Sequence, residues 1–279
     1  MNSYKDVKRG EKEIMHAKTI KTCSLPYGWQ EMVKFVRKSS HIIEFGGGNE
    51  IKHALDSQVQ IILDQHAIND ALNHVVHPSD PFCTDKNGKP SENRIMAYVN
   101  EFNKDFDSTK FVYTYYGEMT KGFEVSSCTD NEIDNTIYLN LITKLKNGLK
   151  FQIDNKLPSN GNVVTLLNNA KWNMMSSTPC WNILWIRLER IDPDGTVWVS
   201  ISTWYRSHDL TDAWESNFIA QVTFIVNEIL KPLNAKILFW HESNASLHIY
   251  KHNLPMTMKI KEISVNPNLI MLQRRYDSE

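Results

Sequence analysis

The stretch ILWIRLERIDPDGTVWVSISTW, residues 183–204, decides the class of fold. Its two arms, 183–188 and 197–204, are dense in β-branched and aromatic side chains. Asp192-Pro193-Asp194-Gly195 between them supplies turn geometry, so the reading is a β-hairpin. The chain continues as TDAWESNFIAQVTFIVNEILKP at 211–232. There Asp212 can cap a helix whose buried stripe is Trp214, Phe218, Val222, Ile225 and Ile229, ended near Pro232. A further strand is expected over 236–240. Strands and helix mixed in this way predict one large α/β or α+β domain.

Working back toward the N-terminus, Trp29, Met32, Val33 and Val36 fall at helical spacing, and Arg37-Lys38 suit the negative end of the helix dipole. Gly46-Gly47-Gly48 is a turn, after which Ile51, Leu55, Val59, Ile61 and Leu63 predict extended chain up to Asp64. The Pro-, Asp-, Lys- and Gly-rich segment 78–92 is a loop and the best place for an internal boundary. Ile95, Val99 and Phe102 predict a helix, FVYTYY at 111–116 a strand, and Ile133, Ile137, Leu141 and Leu145 a helix. Residues 1–22 alternate charged and polar groups. The expected organisation is an N-terminal arm and helix over 1–40 and a single domain over 41–279.

Composition removes several function classes. The 279 residues hold 31 Lys+Arg against 32 Asp+Glu, a formal charge of -1, so the basic footprint of general nucleic-acid binding is missing. No apolar stretch approaches the roughly 18 residues that cross a bilayer, and the first 22 residues are too charged for a signal peptide. The expectation is a cytoplasmic protein without a membrane anchor. Cys23, Cys83, Cys128 and Cys180 are scattered, which fits neither a disulfide framework nor a CxxC metal site.

Three clusters carry chemistry: Thr178-Pro-Cys180-Trp181, Tyr205-Arg206-Ser207-His208-Asp209 running on to Asn217, and Leu247-His248-Ile249-Tyr250. Taken singly they are ordinary. Cys180 reads as a small core residue ahead of an apolar strand, and Arg206 with Asp209 as a surface ion pair. His248 and Tyr250 lie two apart and share one face of a strand.

Taken in order, Cys180, Arg-Ser-x-Asp at 206, 207 and 209, Asn217 eleven residues after the arginine, and His-x-Tyr at 248 and 250 resemble the thymidylate synthase superfamily, especially its shorter archaeal-type members. Tyr113 to Gly117, Asp134 to Leu145 and Trp172-Asn173 look like further segments of the same family. The resemblance implies an α+β fold, a large mixed β-sheet with helices packed on one face, and a homodimer formed by back-to-back sheets. It implies one-carbon transfer, methylation or hydroxymethylation, to C5 of a uracil-type pyrimidine nucleotide, with 5,10-methylenetetrahydrofolate as donor. Cys180 would add to C6 so that C5 becomes nucleophilic. Arg206 and Ser207 would bind phosphate, and Arg206 would also stabilise the thiolate. Asn217 would pair with the N3–H and O4 edge, and His248 and Tyr250 would hold the ribose 3'-hydroxyl. Asp209 would contact the pterin, and Tyr116 would join the network near C5. The alternative is the same fold reused as a nucleotide-binding or interaction protein, or acting on an atypical pyrimidine.

The chain departs from the family's pattern at several points. Thr165 and Leu166 stand where the family has two phosphate-binding arginines, so another base such as Lys171 or Arg37 would have to compensate. Trp181 replaces a histidine after the cysteine. The segment 210–216 lacks the family's Leu-Gly and Pro-Phe, and the C-terminus LIMLQRRYDSE lacks its apolar tail. Glu92 and Glu101 are the candidates for a catalytic glutamate. Two weaker patterns remain. Glu44-Phe-Gly-Gly-Gly48 with Asp64 faintly resembles a Rossmann-type nucleotide loop, and His66, His74, His77 and Cys83 could be written as metal ligands at a spacing that matches no strong zinc pattern.

Overall fold

The computed structural model describes residues 17–38, 42–45, 52–102, 115–120, 123–129, 132–157, 164–166 and 179–279. In chain order its strands are β1 (Ala17–Thr22), β2 (Ile42–Phe45), β3 (Lys52–Asp64), β4 (Phe123–Thr129), β5 (Glu132–Leu139), β6 (Val164–Leu166), β7 (Trp181–Ile191), β8 (Val197–Tyr205), β9 (His208–Asp209) and β10 (Ala235–Tyr250). Its helices are α1 (Leu25–Lys38), α2 (Gln65–Leu72), α3 (Glu92–Phe102), α4 (Tyr115–Thr120), α5 (Leu141–Asn155), α6 (Trp214–Ile225), α7 (Leu254–Thr257) and α8 (Ile270–Ser278).

The hairpin is present as β7 and β8. Gly195 N–H donates to Asp192 O at 2.9 Å and Gly195 sits at φ +81°, a conformation a Cβ disfavours. Around this pair eight strands form one mixed sheet in the order β1-β3-β10-β8-β7-β6. The β1/β3 and β10/β8 pairs are parallel, and β3/β10, β8/β7 and β7/β6 are antiparallel. Strands β2 and β9 add on beside β3 and β10, while β4 and β5 make a separate antiparallel pair.

Alternation along the strands gives the sheet two unlike faces. Val59, Ile61 and Leu63, Val199 and Ile201, and Leu184 and Ile186 are buried on one side. Gln60, Ile62, Trp185, Arg187, Ser202 and His241 line a shallow groove of about 350 Å³ on the other. Helix α1 lies so close to the covered face that a Cβ on Gly28 would stand 2.9 Å from Thr22 Cγ2 and 3.0 Å from Ile61 Cδ1. Glycine is what permits that approach.

Helix α6 is buried all round, in addition to the expected stripe. Trp214, Phe218, Val222 and Ile225 pack in the core, and Glu215, Ser216, Asn217 and Gln221 are buried with them. Buried polar groups need partners, and each of these four has one: Asp80 and the His77 N–H for Glu215, Ala213 O for Ser216, Tyr98 and His208 for Asn217, Tyr205 for Gln221. At the opposite edge α8 closes on β1. Gln273 accepts from Cys23 N–H at 3.1 Å and donates to Lys21 O at 2.9 Å.

Several local expectations are corrected. Ile133 and Ile137 lie in β5, and the helix begins only at Leu141, where the Asn140 side chain accepts from Thr143 N–H at 2.8 Å. Tyr115 and Tyr116 belong to α4 and not to a strand, and 111–114 lie outside the described residues. The cap position of α6 is Ala213 and has no side-chain bond. Asp209 instead holds the turn ahead of the helix, its Oδ1 accepting from Thr211 N–H, Thr211 Oγ1 and Asp212 N–H at 3.0, 3.1 and 3.1 Å. Residues 17–22 are a sheet strand, and β10 runs ten residues beyond Trp240. Within the loop 78–92, Asp80 and Cys83 are buried against α6.

Candidate functional site

The site residues gather where the sheet ladder breaks. Strand β8 pairs with β10 as far as Tyr205 opposite Asn244, and β9 resumes with His208 opposite Leu247 and Asp209 opposite His248. Arg206 and Ser207 leave the ladder at the level where β10 has its own irregularity, at 245–246. Cys180 lies alongside on the bend that opens β7. Arg206 N–H donates to Cys180 O at 3.0 Å, and Arg206 Nε–H to Pro179 O at 3.1 Å. Asn182 braces the same bend, donating to Pro179 O at 2.9 Å and accepting from Arg206 N–H at 3.2 Å. The exposed guanidinium is thus tied to the segment that carries the thiol.

His248 and Tyr250 share a face of β10, with rings 4.9 Å apart in an edge-on contact. Burial pushes the His248 imidazole down to about 4, helped by His208. At neutral pH it is a neutral hydrogen-bonding group, the form suited to a hydroxyl. The Tyr250 phenol is raised by burial, and next by the negative charges of Asp209, Cys180 and Asp212. Four of the sequence-derived positions therefore fall within electrostatic reach of one another.

Asn217 stands in the first turns of α6 and belongs to a buried polar chain. Tyr98 OH on α3 donates to Asn217 Oδ1, and Asn217 Nδ2 lies 3.0 Å from His208 Nε2. His208 Nδ1 faces Asn244 Oδ1 at 3.3 Å and Glu242 Oε1 at 3.4 Å. That Glu242 oxygen also accepts from Trp214 Nε1–H at 2.7 Å and Asn244 Nδ2–H at 2.9 Å. Tyr205 stacks on His208 at 4.0 Å and Trp181 stacks on Tyr205 at 6.3 Å, making an aromatic tier along the covered face.

Other positions fall differently. Tyr116 is in α4, and its side chain lies outside the described residues, as do Trp172, Asn173, Thr178 and Lys171. Thr165 and Leu166 pair with Leu184 and Ile183 in the sheet. Arg37 donates to Thr257 O at 2.7 Å. Glu92 binds His74 at 2.8 Å on the surface, and the Glu101 side chain lies outside the described residues. The tryptophans form no single wall: Trp181 and Trp214 are on the covered face, Trp185 and Trp204 on the open one.

The Rossmann-like reading fails on topology, because β2 runs antiparallel to β3 where that motif needs a strand followed by a helix. The four suggested metal ligands are dispersed as well. His66 is exposed, His74 pairs with Glu92, and His77 packs at a tilt against Trp29 with its Nδ1 accepting from Ser79 N–H at 3.0 Å. Among the described residues the close group of possible ligands is Asp80, Cys83 and Glu215, with atoms within 4.8 Å. Glu215 donates a proton to Asp80, and burial raises both carboxyls, Asp80 to about 6 and Glu215 well above its usual range. A shared proton accounts for that contact without an ion.

The sequence reading missed Tyr98, His208, Glu242 and Asn244. The available signal was polar residues at two-residue spacing in line with Trp240, on the inward face of a strand. No helix among the described residues is long and apolar enough to cross a membrane. No protein-family model matches the chain, and no curated protein matches it.

Proposed function

We propose that the protein is a cytoplasmic enzyme that transfers a one-carbon unit to C5 of a uracil-type pyrimidine nucleotide through a covalent adduct of Cys180 at C6, on a thymidylate synthase-like fold. The observation that supports this best is the convergence of Cys180, Arg206, Asp209, His248 and Tyr250 at one break in the sheet, although they lie up to 70 residues apart in sequence. In this reading the Cys180 thiolate adds to C6, and C5 takes the negative charge as an enolate that can attack an electrophilic carbon. Arg206 and Ser207 bind the phosphate, the guanidinium offering paired donors. Neutral His248 and Tyr250 bind the sugar hydroxyl.

Asp209 Oδ1 is committed to its loop, while Oδ2 has no partner among the described residues. That oxygen fits the N–H edge of a pterin, so 5,10-methylenetetrahydrofolate is the proposed donor. When bound it supplies a one-carbon unit at the oxidation level of formaldehyde. The open sheet face suits a homodimer with back-to-back sheets, since Ile62, Phe239 and Trp185 lie on it and the Trp185 indole N–H has no partner among the described residues. Light scattering is expected to give twice the 32.4 kDa of one chain, and a monomer mass would reject the dimer.

The test of the activity is mass spectrometry of protein incubated with 5-fluoro-dUMP, with and without methylenetetrahydrofolate. A ternary adduct that disappears in Cys180→Ala is expected, because formation demands a thiolate aimed at C6. If no adduct forms at high ligand concentration, the reading is rejected in favour of a binding protein or an atypical substrate.

A further inference from the structure

Trp214 anchors a chain of hydrogen bonds whose directions can be assigned one after another. An indole N–H can only donate, so Glu242 Oε1 is an acceptor. Asn244 must then present its Nδ2 to that oxygen, which turns Asn244 Oδ1 toward His208 Nδ1. With two acceptors facing it, Nδ1 carries the proton, and Nε2 of a neutral ring is left as a lone pair. Asn217 can satisfy that lone pair only with its Nδ2–H, so its Oδ1 points the other way, where the Tyr98 hydroxyl donates to it.

The amide of Asn217 is therefore held at both ends, and one N–H and one lone pair remain uncommitted among the described residues. Uracil presents an acceptor at C4 and a donor at N3, and cytosine presents the reverse. To pair with cytosine the amide would have to turn over, which sets Oδ1 against the lone pair of His208 Nε2. All of these side chains are buried or half-buried, His208 at 4% and Glu242 at 0% exposure, so water does not soften the mismatch.

We propose that His208 is a positioning residue that, held in its Nδ1–H tautomer by Glu242 and Asn244, sets the Asn217 amide to read uracil and to reject cytosine. This rests on the pyrimidine reading given above. It adds a specificity device whose parts come from α3, β9, α6 and β10. Tyr98 holds the opposite end of the same amide but does not fix its sense, because a hydroxyl donates to Oδ1 or accepts from Nδ2–H equally well.

The experiment has two arms. In the first, protein labelled with ¹⁵N-histidine is studied by long-range ¹H–¹⁵N correlation, with His208 identified as the ring missing from His208→Gln. The expected pattern is a neutral ring protonated at Nδ1, and protonation at Nε2 overturns the proposal whatever binds. In the second, calorimetry gives the dissociation constants of dUMP and dCMP for the wild type, His208→Gln and Tyr98→Phe. Wild type is expected to favour dUMP by tenfold to a hundredfold, on the order of one unsatisfied buried group. A glutamine amide can rotate to accept either orientation, so His208→Gln should bring the ratio close to one, and Tyr98→Phe, which removes a contact indifferent to the sense of the amide, should leave it unchanged.

Where His208→Gln does not fold, His208→Asn gives the same reading, its shorter amide also turning either way. Binding of dUMP with an unchanged ratio in the folded His208 variants overturns the role of His208 alone. An Nδ1–H ring with neither nucleotide bound overturns the pyrimidine reading and the proposal with it.

Discussion

Replacing Glu215 by glutamine tests the shared proton between α6 and the loop 77–84. Glu215 is fully buried, both its oxygens accept from His77 N–H at 3.1 and 3.2 Å, and it donates a proton to Asp80, whose Oδ1 accepts from Phe82 and Cys83 N–H at 2.7 and 2.8 Å. Burial first, and then the negative charge of Asp80, holds the Glu215 carboxyl well above its usual 4.5. A folded-state pKa raised in this way favours folding below the unfolded value, and that advantage is lost as pH rises toward the folded one. Above the unfolded value and below the raised folded one, the unfolded chain has released this proton and the folded chain keeps it. Each pH unit within that interval weakens the fold by about 1.4 kcal/mol.

Glu215→Gln retains the N–H toward Asp80 without a titratable proton, so that slope vanishes from the variant. Urea unfolding followed by tryptophan fluorescence at pH 6, 7 and 8 reads the difference directly. Trp29, whose ring lies 4.6 Å from His77, is a local reporter. Groups away from the pair titrate alike in both proteins and cancel, and the slope is read between pH 7 and 8, above the value of about 6 to which Asp80 is raised. The stability of the variant relative to wild type should rise with pH, by up to about 1.4 kcal/mol per unit. A difference that stays constant would show that Glu215 is ionised in the folded chain, and the shared-proton argument would be wrong.

Thiol reactivity should follow burial. Cys23, pushed up to about 11 chiefly by burial, and Cys83, raised further by burial, are enclosed, whereas Cys180 is half-buried. Iodoacetamide at neutral pH followed by peptide mass spectrometry should modify Cys180 ahead of the other two, and labelling of Cys83 first would contradict the packing. Gly28→Ala gains about 1 kcal/mol of helix propensity but drives a Cβ into Thr22 and Ile61, for a net loss of about 1–2 kcal/mol in thermal or urea unfolding. A gain in stability would mean that α1 can move away from the sheet.

The hairpin was legible because its information is local: Asp192, Pro193 and Gly195 specify a turn by themselves, and the flanking arms alternate or run apolar. The core stripe of α6 was legible for the same reason. Ile133 and Ile137 misled because a spacing of four satisfies a strand as well as a helix, and the deciding residue was Asn140, which caps the helix behind them. The distal part of β10 was hidden by the bulge at 245–246, after which Leu247 and Ile249 take the inward face and His248 the other, and by Glu242 and Asn244, inward-facing polar residues that break the expected alternation. Their burial depends on partners from α3, β9 and α6, which no window of sequence contains. The order of strands in the sheet is non-local in the same sense. The candidate site was legible through the motifs at 180, 206–209, 217 and 248–250, whereas Tyr98, His208 and Glu242 acquire meaning only once the chain has folded.

The paired interruptions in the sheet, at Arg206-Ser207 and at Ala245-Ser246, make two chain lengths interdependent. Because Tyr205 is locked to Asn244 before the break and His208 to Leu247 after it, both segments span one distance with two residues each. Deleting or inserting one residue in either segment alone would slide Asp209 past His248 and turn Tyr250 away from Cys180, leaving every site residue present and the site lost. A compensating change of the same size in the other segment would restore the alignment. Length at 206–207 and length at 245–246 should therefore vary together or not at all.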